Sequence, residues 1–274
     1  MKNLIYILLV MSLFSCTNND ALNKSGEDNY TPEASWDFWN CEQLLDTTGL
    51  KLYPFIPFTD EFGPGKSQFT ELLAARQIPE DFLCKMSTKE LFYQYVYCDL
   101  SGTMFLFNTY LQGFLSTTRL NMLPELLNRS DVGHVLLELL QKVDPSNMVF
   151  DMSKRVNCFW WDHCLQIILA QPEVINSMTD EDIDQYIQQQ IRIHDTIRSL
   201  SGTDQNWVYP SSVVVVLMGL GHVMVRYEYE PFMKTFGIQL SVLNELYYWD
   251  THFIKEQQAL QLIDFVKQFK KGKK

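Results

Sequence analysis

The chain has 274 residues, of which 46% are hydrophobic and 20% charged, and a net charge of −11. That apolar content is enough for one folded domain of ordinary size. The acidic balance repels phosphate backbones and excludes nucleic acid as a partner class.

Lys2 gives a sparse positive start, Leu4 to Phe14 is apolar but too short to span a bilayer, and Ser15 stands before Cys16. This segment resembles a bacterial lipoprotein signal, and the resemblance implies that residues 1–15 are cleaved and Cys16 is acylated with palmitate-type chains. Several acyl chains on one residue make a lasting membrane anchor. Residues 16–33 are polar, include Gly26 and Pro32, and hold too little apolar surface to fold, which predicts a flexible tether. Lipoproteins of this kind that reach the cell surface carry an acidic cluster after the cysteine. Thr17-Asn18-Asn19-Asp20 holds one acid, which favours the periplasmic face of the outer membrane over the cell surface.

Residues 34–274 read as a single all-helical domain, arranged either as an irregular multi-helix bundle or as a short HEAT-like array of helical hairpins. Ser87-Thr88-Lys89-Glu90 and Thr179-Asp180-Glu181-Asp182 each place an acid three residues after a hydroxyl, the pattern of a capping box. Each follows a methionine, and each is preceded by Pro-Glu and a short helical stretch, from Pro79 to Met86 and from Pro172 to Met178. Their separation is about twice the ~40–47-residue period of helical solenoids, which suggests a degenerate duplication. Between them, Met122 to Asn128 and the stripe Val132, Val135, Leu136, Leu139, Leu140, Val143 predict a helical hairpin, with Ser130 or Asp131 as the second cap. From Ser153 to Ala170 apolar residues run nearly all round, which predicts a buried central helix. The valines from Val213 to Val216 have strand propensity. However, the apolar run continues to Val225 after Pro210, too long for an ordinary strand, and so predicts a buried helix. The stripe Ala259, Leu262, Ile263, Val266, Phe269 organises the last helix, and Lys267, Lys270, Lys271, Lys273 and Lys274 read as a frayed basic terminus.

Ile78-Pro79, Leu83, Met86-Ser87-Thr88, Leu91, Glu125-Leu126-Leu127, Arg129, Asp131, Leu169 and Gln171-Pro172-Glu173 together resemble a family of lipoproteins from gut-dwelling Bacteroidota. The resemblance covers about the middle half of the chain; it implies a helical body and an envelope location and carries over no activity. Asp46-Thr47-Thr48 and Asp195-Thr196-Ile197 also resemble the O-glycosylation acceptors of such bacteria, and Thr47, in a loop, is the candidate acceptor.

Beyond Cys16, the cysteines are Cys41, Cys84, Cys98, Cys158 and Cys164, an odd set with irregular spacing, which favours buried thiols over a disulfide framework. His134, His163, His194, His222 and His252 have no partner at metal-ligand spacing, so no metal and no cofactor is expected. His163 and Cys164 adjoin an apolar face, and His194 continues the Ile183, Ile187, Ile191, Ile197 stripe, so both histidines read as core. On a continuous helix His222, Arg226 and Glu230 would form one polar edge, either facing a pocket or solvated. Trp207 and Tyr209, beside a polar loop, are the candidate ligand contacts. No assembled set of catalytic residues is expected. The favoured reading is a lipid-anchored, non-enzymatic module for a protein or peptide partner, and the alternative is an envelope glycan-binding protein or carbohydrate-active enzyme.

Overall fold

The computed structural model describes residues 49–54, 69–98, 100, 101, 104, 110–148, 159–200, 209–236 and 256–272. Those residues are 77% helical with no strand among them, which places the body in the all-α class. The leader, Cys16, the tether, Thr47 and Trp207 lie outside the described residues.

A longer helix, a short helix and a third helix recur in that order. The first unit is α1 (Phe69–Ala75), α2 (Glu80–Leu83) and α3 (Thr88–Tyr97). The second is α4 (Tyr110–Thr117), α5 (Met122–Leu127) and α6 (Val132–Gln141), followed by a 3-10 turn at Pro145–Met148. The third is α7 (Phe159–Leu169), α8 (Pro172–Ser177) and α9 (Asp180–Leu200). A fourth begins with α10 (Tyr209–Arg226) and α11 (Glu230–Phe236), and α12 (Glu256–Gly272) packs against both. Successive units stack, with α3 on α5 and α6, α6 on α7, α8 and α9, and α10 on α7, α8 and α9.

Local chemistry sets the third helices. Ser87 Oγ accepts from Glu90 N at 3.2 Å while Glu90 Oε2 accepts from Ser87 N at 2.7 Å. Thr179 and Asp182 repeat the exchange at 3.1 and 3.0 Å. Each reciprocal pair satisfies two amides that have no partner inside the helix. Asp131 departs from expectation. It occupies the N-cap position of α6 but makes no capping bond, because its carboxylate accepts from Thr88 Oγ1 in the first unit at 2.5 Å. Packing holds α6 instead, with Val132, Leu136, Leu139, Leu140 and Val143 buried. Each such burial contributes about 1.5–3 kcal/mol before conformational entropy is counted.

α7 is enclosed as expected, with every residue from Trp161 to Ala170 buried. The valine run is helical, and Val213 to Leu220 is buried throughout. Burial on all sides overrides strand propensity there. Two glycines allow close approach between units. A Cβ at Gly219 would stand 2.0 Å from Tyr186 Oη, and one at Gly133 would stand 2.5 Å from Met178 Cγ. A larger residue requires Tyr186 to move at Gly219, and Met178, Ser177 and the Val174 carbonyl to move at Gly133. The last helix buries its predicted stripe and continues to Gly272, so Lys267, Lys270 and Lys271 are helical rather than frayed. Cys98 and Cys164 are buried thiols outside any disulfide, whereas Cys84 is exposed.

Candidate functional site

The polar chemistry gathers where one unit meets the next. Short helices leave carbonyls unpaired at their C-terminal ends, and a buried carbonyl without a donor is costly. Side chains from the following unit supply the donors. Arg129 Nη2 donates to Met86 O at 3.1 Å. Arg226 Nη2 donates to Met178 O at 2.9 Å, and its Nη1 donates to Ile175 O. Met86 and Met178 are the residues immediately before the two capping boxes. The sequence duplication is therefore repeated as a duplicated contact.

Neighbouring bonds extend each junction. Asn121 clamps Ile78, accepting from its N–H at 3.0 Å and donating to its carbonyl at 2.7 Å. Gly133 N donates to Ser177 Oγ at 2.9 Å, and Gln141 Nε2 donates to Gln185 Oε1 at 2.8 Å. His134 Nδ1 lies 2.9 Å from Asp182 Oδ1 and its Nε2 lies 3.6 Å from Glu138 Oε1. The bond to Asp182, with the charges of Asp182, Glu138 and Asp131, outweighs a small burial effect and holds the His134 pKa above the ordinary imidazole value. Burial pushes Asp182 up, but the bonds from His134 and Thr179 outweigh it and hold Asp182 below its usual range.

The proposed polar edge takes a different form. α10 ends at Arg226, so Glu230 belongs to α11, where it is exposed and pairs with Lys234 Nζ at 2.5 Å. His222 Nδ1 sits 2.5 Å from Ala170 O, and Tyr227 donates to Asp180 Oδ1. His222 and Arg226 therefore join the fourth unit to the third. Burial lowers the His222 pKa, partly offset by the Ala170 carbonyl and by Glu173. Tyr209 opens α10.

A second polar group lies inside the third unit. α7 and α9 run antiparallel, with Gln190 Nε2 donating to Gln166 Oε1 at 2.7 Å and with Ala170 and Tyr186 both near Gly219. Asp162, one turn before Gln166, is wholly buried, and neither carboxylate oxygen has a hydrogen-bond partner. Burial, with a smaller push from Asp144, raises its pKa well above the ordinary carboxylate value. Burial alone lowers His163 to about 3 and raises the Cys164 thiol. Burial thus disfavours the charged form of each member of the Asp-His-Cys run. That suits a packed interior and does not suit a nucleophile, which needs a thiolate or an active base.

His194, read from sequence as core, is buried, but its Nδ1 bonds the exposed Asp195 at 2.9 Å despite the angular separation of adjacent helix residues. Thr196, of the second glycosylation-like segment, is half-buried within α9. Among the described residues no group of three or more His, Cys, Asp or Glu side chains could hold a metal ion. No described helix is long and apolar enough to cross a membrane. Sequence reasoning missed Asn121, Arg129, Gln166 and Gln190. Arg129 had a usable signal, since it follows the first Met-Ser-Thr much as Arg226 follows the second Met-Thr. The buried glutamines had none, because a polar residue on an apolar face reads equally well as a solvated edge. Compared with family models, curated proteins and solved structures, the chain matches none.

Proposed function

We propose that the chain is a lipid-anchored component of the bacterial cell envelope, held at the outer membrane through Cys16. Its body is a HEAT-like array that serves as a non-enzymatic protein or peptide interaction module. The observation that supports the reading is the recurrent bonding between units, in which side chains of one unit satisfy backbone groups 43 to 52 residues away. Such bonds fix the relative position of neighbouring units and so keep a surface spread over several of them in one shape. A preorganised surface binds without the ordering cost that a flexible one incurs.

The anchor is tested by growth with an alkynyl palmitate analogue. The wild-type chain should be labelled and sediment with membranes, while Cys16→Ala should be unlabelled and soluble; an unlabelled wild-type chain overturns the anchor. The module is tested by affinity capture from native envelopes with wild type and Arg226→Ala. A partner recovered by the wild type and lost by a still-helical Arg226→Ala supports it. No specific partner, or the same partner from both, overturns it.

A further inference from the structure

Residues 49–54 lie along α3 as an extended strap. Gly49 turns the chain at a φ of 81°, and Tyr53 precedes Pro54, whose ring disfavours helical backbone at the residue before it. Lys51 N donates to Glu90 Oε1 at 2.8 Å and Tyr53 N to Gln94 Oε1 at 2.6 Å, while Gln94 Nε2 donates back to Tyr53 O at 3.2 Å. The spacing has a simple geometric basis. Four helical residues rise about 6 Å and two extended residues rise about 6.6 Å, so side chains at i and i+4 of a helix meet alternate residues of an extended chain. Leu50, Leu52 and Tyr53 pack half-buried against the core, and Tyr53 meets the edge of Phe82 at 5.3 Å.

The hydrogen bonds from α3 to the strap go to its backbone, with the Lys51 charge beside Glu90. At the equivalent place in the third unit, the acid of the capping box, Asp182, receives His134 from the preceding unit. Glu90, the matching acid in the first unit, keeps its bonds to Ser87 and receives from the strap the main-chain N–H of Lys51. Any extended segment offers the same N–H and C=O groups. The fold also uses the same amide clamp internally, where Asn121 reads both backbone groups of Ile78.

We propose that the edge of α3 formed by Glu90 and Gln94 is a docking site for an extended peptide segment of a partner protein, and that residues 49–54 occupy it in cis as a displaceable strap. The proposal rests on the interaction-module reading and names the partner chemistry: extended backbone with apolar side chains beside the bonded residues. A strap joined to the body by a short connection competes at an effective concentration in the millimolar range. The site therefore admits a partner readily only once the strap loosens.

The test uses the full chain and a capped peptide with the sequence of Gly49 to Pro54. Tyr53→Pro deletes the N–H that Gln94 accepts and should raise peptide affinity at least tenfold over wild type. Adding Gln94→Leu to that variant should abolish the gain. In the wild type, saturating peptide should speed hydrogen exchange at the Lys51 and Tyr53 amides, which also covers the case in which Tyr53→Pro fails to fold. Equal peptide affinity for wild type and Tyr53→Pro, insensitivity to Gln94→Leu, or unchanged exchange at Lys51 and Tyr53 overturns the strap. Such a failure alongside successful envelope capture removes the strap and leaves the module reading standing.

Discussion

The junctions between units and the interior of α7 handle buried polarity in opposite ways. At the junctions, Arg226 gives two donors to carbonyls of the preceding unit and Asn121 closes both bonds of one residue. Inside α7, Asp162 is more deeply enclosed than either, yet neither of its oxygens is bonded. Bonded polar groups tie one geometry together, whereas an unbonded acid costs stability whenever solution pH favours its ionised form. The junctions therefore specify the array, and α7 carries a destabilising residue that its apolar neighbours offset.

Substitutions at four positions test that contrast, from the largest expected effect to the smallest. Asp162→Asn should stabilise the protein. The unfolded carboxyl ionises above about pH 4 while the folded one stays neutral, so wild-type stability falls with rising pH by as much as ~1.4 kcal/mol per pH unit until the raised folded pKa is reached. The variant lacks that slope, and denaturant melts at pH 4 and pH 7 should show a gain that grows with pH. A gain independent of pH would refute a neutral buried acid. Arg226→Ala should cost about 2–3 kcal/mol, since it strands the Met178 carbonyl and takes one of two donors from Ile175 O, which keeps Met178 N, and Arg226→Lys should recover less than half because an ammonium lacks the planar fork.

Arg129→Ala should cost about 1 kcal/mol, because Arg129 gives one bond to Met86 and shares its guanidinium with Glu125 at 2.8 Å. Equal losses at Arg129 and Arg226 would show that the number of bonds does not set junction strength. His134→Gln should cost less than about 1 kcal/mol, because the His134 side chain is 60% exposed and its ion pairs are screened. The His134 pKa is raised, so its contribution is full below the ordinary imidazole value and is lost as pH rises through the folded value. Asp182 is lowered, so its contribution is full above the ordinary carboxylate value and is lost as pH falls through the folded value. The wild-type advantage over His134→Gln should therefore peak in the mildly acidic range. NMR titration of the His134 ring, with melts across pH, checks it.

Much of the helical body was legible from residue pattern. The two capping boxes close within four residues, and stripes such as Leu136 to Val143 repeat at helical spacing whatever packs on them, so both survive without knowledge of the fold. The polar edge at His222, Arg226 and Glu230 was not legible in its actual form. Its spacing presumes one continuous helix, and the backbone turns at Glu228, where φ is 47°. Asp131 misled for a related reason. A side chain able to cap its own helix is equally able to accept Thr88, and local sequence does not rank the two.

By itself, the sequence determined the all-α class, the starts of the helices that follow Ser87 and Thr179, and the pairing of Met86-Ser87 with Met178-Thr179, because all of these depend on groups a few residues apart. Tertiary structure alone decided which carbonyls Arg129 and Arg226 reach, which extended segment lies on Gln94, and that Asp162 is sealed without a partner. Those outcomes depend on groups that stacking of whole units brings together, and no local rule of spacing encodes that distance.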